Sequence, residues 1–306
     1  MKNIFKFFYT FIIILFFSSC KSDYKSGDSS TKKENTDSKI EKKDKNENYN
    51  ISILIDLSDR ISTTKYPNPT MEYYQRDLGY INSISEAFSY HVRNKKIMRM
   101  NDNIQVFFNP NPLNSEINKI SNNLKIKVDK KNATKEFINS INKTYTSEMS
   151  KIYELALKDN NFIGSDIWGF FQNNIKDYCI EKKHRNILII LTDGYIFYKD
   201  NNFKEDNEST YLTPELIRSY NLNNKDWKET LETKKIGYLR ANDDLSNLEV
   251  LVLGINPSKN NPYEGKIIKE FWSNWFREMN VKRFEIKESA LPSNMDKVIK
   301  EFIENR

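Results

Sequence analysis

Cysteine and histidine are the scarcest reactive residues of this 306-residue chain, two of each. Two Cys exclude a disulfide-built scaffold, and two His argue against a His-rich metal or catalytic centre. Glycine and proline are also sparse, at eight each, which excludes collagen-like and Pro/Gly low-complexity chains. No Gly-x-Ser-x-Gly elbow, Walker A loop or His-Glu-x-x-His is present. Nor is there a dense Lys/Arg stripe with interleaved aromatics, so no nucleic-acid partner is expected. What is there suffices for a folded core: 38% hydrophobic and 13% aromatic residues. The formal charge is +6, and its meaning depends on where it lies.

Lys2 and Lys6 precede an eleven-residue, mostly apolar run from Phe7 to Phe17. At about 1.5 Å per residue such a run crosses roughly half of a ~30 Å hydrocarbon core, which suits a secretory leader and falls short of a span. Phe17-Ser18-Ser19-Cys20 follows and resembles the lipobox of bacterial lipoproteins. Phe17 departs from the Leu such motifs prefer at that place, and Leu15 sits two positions early. The resemblance implies a signal peptide over 1–19, cleavage before Cys20, diacylglycerol on its sulfur and acylation of its new amine. It also implies a lipid anchor in the bacterial cell envelope, expected at the outer membrane with its facing left open. Several acyl chains on one residue hold far better than one, since each buried CH₂ contributes about 0.8 kcal/mol. An ordinary signal cut after Ser19 and a retained N-terminal helix are the alternatives. With Cys20 lipidated, Cys179 is the remaining thiol and no internal disulfide can form.

Residues 20–49 follow as a lipidated Cys20 and a charged tether with almost nothing apolar, expected to be disordered. A flexible segment of this length spans roughly 30 Å, from about 5–6 Å × √n. The leader carries two lysines, the tether eight lysines against seven acids, and residues 50–306 have 38 basic against 35 acidic residues. The body is thus near neutral for its size. Arg93-Asn94-Lys95-Lys96 and Lys182-Lys183-His184-Arg185 read as helix ends, where cations meet the negative end of the dipole.

Ile51 to Leu57 reads as a buried parallel strand. Thr70–Met100 carries a helical stripe with Leu78, Ile81, Ile84, Ser85 and Phe88 on one face. Strands are expected at Ile104–Phe108, Lys125–Val128 (a short edge), Ile187–Leu191, Leu248–Ile255 and Val281–Ile286. Helices are expected at Thr134–Tyr145, Ser150–Leu157, Ser165–Cys179, Glu264–Met279 and Asn294–Ile303. This alternation predicts an α/β domain over 50–306, doubly wound, with a mostly parallel sheet and helices on both faces.

Such sheets bind ligands beyond the carboxyl ends of their strands, where the winding reverses. Two polar clusters fall at such ends, Asp56-Leu57-Ser58-Asp59-Arg60 and Thr192-Asp193-Gly194, and a third segment, Ile163-Gly164-Ser165-Asp166-Ile167, opens a helix between them. Together they resemble the von Willebrand factor A (vWA) domain and its metal-ion-dependent adhesion site. That family's first loop reads Asp-x-Ser-x-Ser, its second supplies a Thr or Ser before a helix, and its third often reads Thr-Asp-Gly. The resemblance spans roughly 51–290 and implies a cation held by Asp56, Ser58, Ser165 and Asp193, with Asp59, Arg60, Asp166 and Thr192 as modulators. It implies adhesion or assembly through a protein partner, not turnover. Independently of the name, carboxylate and hydroxyl oxygens are hard ligands suited to Mg²⁺ or Mn²⁺.

Arg60 departs from the pattern, since a guanidinium cannot ligate a cation. Either it points away, or it pairs with Asp56 or Asp193 in the cation's place and leaves a metal-free scaffold. Plainer readings stand beside each cluster: a strand-end carboxylate capping amides at Asp56, a helix N-cap at Ser165-Asp166, and a turn at Thr192-Asp193-Gly194. The competing enzyme reading is a haloacid-dehalogenase-like, metal-dependent phosphoesterase using Asp56 and Asp193, although Ser58 stands where that family needs a second Asp. An insertion at about 195–247 starts at the site and carries Tyr195, Phe197, Tyr198, Tyr211, Trp227 and Tyr238. These rings serve as interface anchors or as the insertion's own core. Trp168, Trp272, Trp275 and Cys179 read as core, and His91 and His184 as exposed on helices.

Overall fold

A computed structural model describes residues 47–305, which form one compact unit. The leader, Cys20 and most of the tether lie outside the described residues. Six strands form the main sheet: β1 (Asn48–Ile55), β2 (Asn101–Phe107), β3 (Ile126–Asp129), β4 (His184–Leu191), β5 (Leu248–Ile255) and β6 (Arg283–Glu288). Their order is β6-β5-β4-β1-β2-β3, all parallel except β3, which runs antiparallel at the edge. The winding reverses between β1 and β4.

The Ile-rich runs are what a strand covered on both faces requires. Ile51, Ile53 and Ile55 join one core with α1 (Tyr73–Arg93), α2 (Ser115–Asn123), α3 (Lys135–Asp159) and α9 (Pro292–Glu304). Leu54, Leu188 and Ile190 face the opposite core, with α4 (Ile167–Asn173), α5 (Ile175–Cys179) and α8 (Glu264–Glu278). Each fully buried Ile or Leu contributes about 1.5–3 kcal/mol. On α1 the expected stripe is seen: Ile81, Ile84, Ser85 and Phe88 are buried, and Leu78 packs against them. A reciprocal Glu72/Gln75 capping box starts that helix.

Several expected boundaries move. β1 begins at Asn48 and buries Tyr49, so the last tether residues belong to the sheet. α3 is one 25-residue helix, not two. The Thr146 hydroxyl bonds back to the carbonyls of Asn142 and Lys143, so a residue that favours turns is tolerated within it. Ser165–Cys179 is two short helices broken at Asn174. The helix in Thr70–Met100 stops at Arg93, and Ile97–Arg99 is a separate 3-10 turn.

The first basic run does end a helix, α1 stopping at Arg93 with Asn94 as its C-cap, whereas the second runs into β4 instead. Lys95 and Arg185 are buried in ion pairs with Asp102 and Glu249, and Arg185 lies in β4. His91 is buried rather than exposed, stacked on Tyr49 at 3.5 Å between ring centroids. His184 opens β4 and is not helical.

The insertion carries α6 (Pro214–Ser219) and α7 (Trp227–Thr233). Leu212, Ile217, Trp227, Leu231 and Tyr238 continue the second core without a break, together with Trp272 and Trp275. Of the insertion's rings, Trp227 and Tyr238 are therefore core and Phe197 is exposed. Among the described residues no helix is long and apolar enough to cross a membrane.

Candidate functional site

β1 and β4 end side by side, tied by the Asp56 amide donating to the Leu191 carbonyl at 3.0 Å. Asp56 is buried and held at both oxygens: Oδ1 accepts the Ser58 amide at 2.8 Å, and Oδ2 accepts the Thr192 hydroxyl at 2.9 Å. The Thr192 hydroxyl in turn accepts the Gly194 amide at 3.1 Å. Gly194 adopts φ +99°, and a Cβ there would stand 2.7 Å from Ile255 and Ile268, so this turn needs glycine. Asp193 is half-buried, and its Oδ1 accepts the Tyr195 amide at 3.1 Å. Its carboxyl is pushed up to about 7, first by loss of water and then by the Asp56 charge, against the pull of Arg60.

Ser165 comes from the other side of the cleft. Gly164–Ser165 pairs antiparallel with Phe197–Tyr198, and the Asp166 amide donates to the Asn109 carbonyl at 2.8 Å. Asp166 is the N-cap of α4: its Oδ1 accepts the Gly169 amide at 2.8 Å and the Asn201 side-chain amide at 2.7 Å. Burial raises its carboxyl despite those bonds. The plainer helix-cap reading thus describes Asp166.

A cleft of about 670 Å³ is lined by Asp56, Ser58, Ser165 and Asp193, with Asp59 and Arg60 in the same wall. Residues spread over more than a hundred positions therefore meet where the winding reverses. Tyr66 and Phe197 also line the cleft, 48% and 45% exposed. Thr192 and Asp166 do not line it; one orients Asp56 and the other starts α4.

Arg60, on the 3-10 turn Asp59–Ile61, is 5% exposed. Its Nε donates to the Asp56 carbonyl at 2.8 Å and lies 3.6 Å from Asp56 Oδ2. One terminal nitrogen donates to Asp77 Oδ2 at 2.6 Å and to the Leu191 carbonyl at 3.1 Å. The Tyr153 hydroxyl also donates to Asp77 Oδ2, at 2.8 Å. Burial lowers the Arg60 affinity for its proton, but the Asp77 and Asp56 charges outweigh it and raise it. At Asp77 the balance is opposite: burial outweighs Arg60, and the carboxyl is pushed up. Arg60 thus turns toward α1 and α3 and pairs with Asp77 and Asp56, not with Asp193.

Asp77 and Tyr153 carry no local sequence signal, because they reach Arg60 from two helices. Tyr195, one of the insertion rings singled out from sequence, donates its hydroxyl to Glu264 and accepts the Ser258 amide, tying the insertion to α8. An Arg four residues after a buried strand-end Asp was itself a cue that a further acid must lie near.

Among the described residues no group of three or more His, Cys, Asp or Glu is placed to hold a metal. The donors at the cleft are two carboxylates and two hydroxyls, which suit a hard cation. Arg60 pairs with Asp56 and Asp77 and acts on Asp193 only through its charge, while Arg218 and Lys259 also line the cleft; it is the lining oxygens that suit a divalent cation.

No family model and no curated protein matches the chain. Among solved structures, a pilus adhesin, SpaC, from Lactobacillus rhamnosus GG aligns at 12% identity and a TM-score of 0.39. The alignment covers 84% of this chain and 30% of the adhesin, and a likeness this loose assigns neither fold family nor function.

Proposed function

We propose that this chain is an exported, lipid-anchored binding module with a vWA-like domain, which captures a protein partner at the cleft beyond β1 and β4. One observation carries the reading: Asp56, Ser58, Ser165 and Asp193, chosen from sequence as one ligand set, line a single cleft at the switch point. In this reading they hold Mg²⁺ or Mn²⁺, which supplies a Lewis-acid position open to an acidic side chain of the partner. The chain's own part is to place the oxygens. Thr192 and the Ser58 amide fix Asp56, the Tyr195 amide fixes Asp193, and the two serines add donors without adding charge.

The test is thermal unfolding of the full-length protein during Mg²⁺ or Mn²⁺ titration. Ligand at about 100 Kd stabilises by about 2.7 kcal/mol. A midpoint that rises in the wild type and stays flat in Asp193→Ala is expected; no rise in the wild type removes the cation. The anchor is tested separately, since Cys20→Ser should move the protein to the soluble fraction. The phosphoesterase reading uses Asp56 as the nucleophile, but Ser58 stands where that chemistry needs a second Asp. Phosphate-ester turnover that disappears in Asp56→Asn would revive it.

A further inference from the structure

Arg60 stands where the family resemblance puts a third hydroxyl ligand, and its bonds suggest a task beyond filling space. The Leu191 carbonyl, at the end of β4, already accepts the Asp56 amide at 3.0 Å, and a carbonyl oxygen has room for a second bond. The guanidinium donates that second bond and also one to the Asp56 carbonyl, one residue past β1, so it joins the two strand ends at the winding reversal. It is held there by Asp77 of α1, which is itself held by Tyr153 of α3. Two strand ends and two helices thus converge on one side chain that is 5% exposed. Lysine could not reproduce this. A guanidinium presents five donors in a rigid fork, whereas an ammonium is a single point of charge on a flexible stem.

We propose that Arg60 is a positioning residue that builds the cleft without a cation, closing the β1–β4 ends so that Asp56, Ser58 and Asp193 stand in place before cation or partner arrives. A cation held by a hydroxyl-bearing loop can draw its ligands together and so serve as both fastener and binding point. Here the fastener is the guanidinium, and any cation is left with partner capture alone. That last clause rests on the proposed function; the positioning role does not.

The experiment compares full-length wild type, Arg60→Lys and the double variant Arg60→Ser/Asp77→Asn, by thermal unfolding in EDTA and again in excess Mg²⁺. The double variant removes the guanidinium together with Asp77, the acid it bonds most closely, and leaves buried Asp56 for a cation to neutralise. It also supplies a hydroxyl at the third loop position. In EDTA its midpoint should fall by about 5–10 °C relative to wild type, and Mg²⁺ should recover at least half of that loss. Arg60→Lys, which keeps the charge and loses the fork, should fall between the two. A loss of equal size in EDTA and in Mg²⁺ marks an ordinary buried ion pair and overturns the proposal, as does Arg60→Lys behaving like wild type. If the wild type ignores Mg²⁺ while the double variant gains a response, the positioning role stands and the cation reading of the native protein falls.

Discussion

The two ends of the central sheet treat buried carboxylates in opposite ways. At the amino ends, Glu249 is gripped by Arg185 through two bonds of 3.0 and 2.8 Å and by Arg283 at 2.8 Å, with Lys282 nearby. Asp102 is held by Lys95 at 2.6 Å and by His91 at 3.1 Å. Burial would raise both acids, yet these partners hold both below their ordinary values. At the carboxyl ends, Arg60 pairs with Asp56 and Asp77, Asp193 pairs with no cation among the described residues, and burial wins at Asp77 and Asp193. Arg185 also donates to the carbonyls of Phe302 and Asn305, so the amino-end cluster caps the last helix. One end of the sheet is satisfied and locks the fold. The other leaves Asp77 and Asp193 raised by burial, and perturbed groups of this kind collect at functional sites.

The largest effect that could break this contrast is on stability. Glu249→Gln leaves Arg185 and Arg283 facing each other without their anion, a loss of about 3–5 kcal/mol, or on the order of 10 °C in the unfolding midpoint. Asp193→Asn removes a charge the fold accommodates poorly, and in EDTA it should leave the midpoint unchanged or raise it. Thermal unfolding of the full-length protein reads both. Equal losses would mean the two ends do not differ.

Acid and base should separate the ends next. Glu249 and Asp102 have folded values below their unfolded ones, so their contribution is present above about 4–5 and lost as pH falls through the folded values. Asp193 has the opposite sign. Its folded value of about 7 lies above the ordinary 3.8, so its contribution is present below 3.8 and lost as pH rises through about 7. The Asp193 contribution should therefore lower denaturant midpoints in EDTA as pH rises from about 4 to about 7 and level off above that, and Asp193→Asn should flatten that limb. The acid limb should persist in Asp193→Asn and shrink in Glu249→Gln. A decline unchanged by Asp193→Asn would assign the slope elsewhere.

The contrast also explains what could be read from sequence. β1, β4 and β5 were legible because a strand buried on both faces must be a near-continuous apolar run, and the cleft residues because they directly follow such runs. The binding of β3 as an edge was legible from its short alternation. The ion clusters were not. Arg185 and Glu249 lie 64 positions apart on neighbouring strands, and Arg185 sits in a basic run that imitates a helix end. Lys95 follows α1 closely enough to look like a dipole cation, yet it is buried against Asp102 of β2. Asp77 and Tyr153 fall on helical stripes whose pattern records only that they face inward. Periodicity shows which way a residue faces, but not which residue it meets there. The Arg60 departure was visible at once, and its partners were not.

The smallest expected effect uses Cys179 as a reporter. It ends α5, its carbonyl accepts the Asn50 side-chain amide at 3.0 Å, and Asn50 lies near the amino end of β1. Burial pushes its thiol up to about 12, against a hydrogen bond with Ser52. The thiolate is the reactive form, so the buried thiol reacts only once opening returns it to water. Access is absent as well, since the side chain is fully buried. Labelling by a small alkylating reagent in the native full-length protein should then proceed only through opening of the amino end, at a rate set by that opening. Glu249→Gln should speed it by the factor its stability loss predicts, while Asp193→Asn at the other end should leave it near the wild-type rate. Fast labelling in the wild type, or equal acceleration by both variants, would show that the satisfied end opens as readily as the strained one.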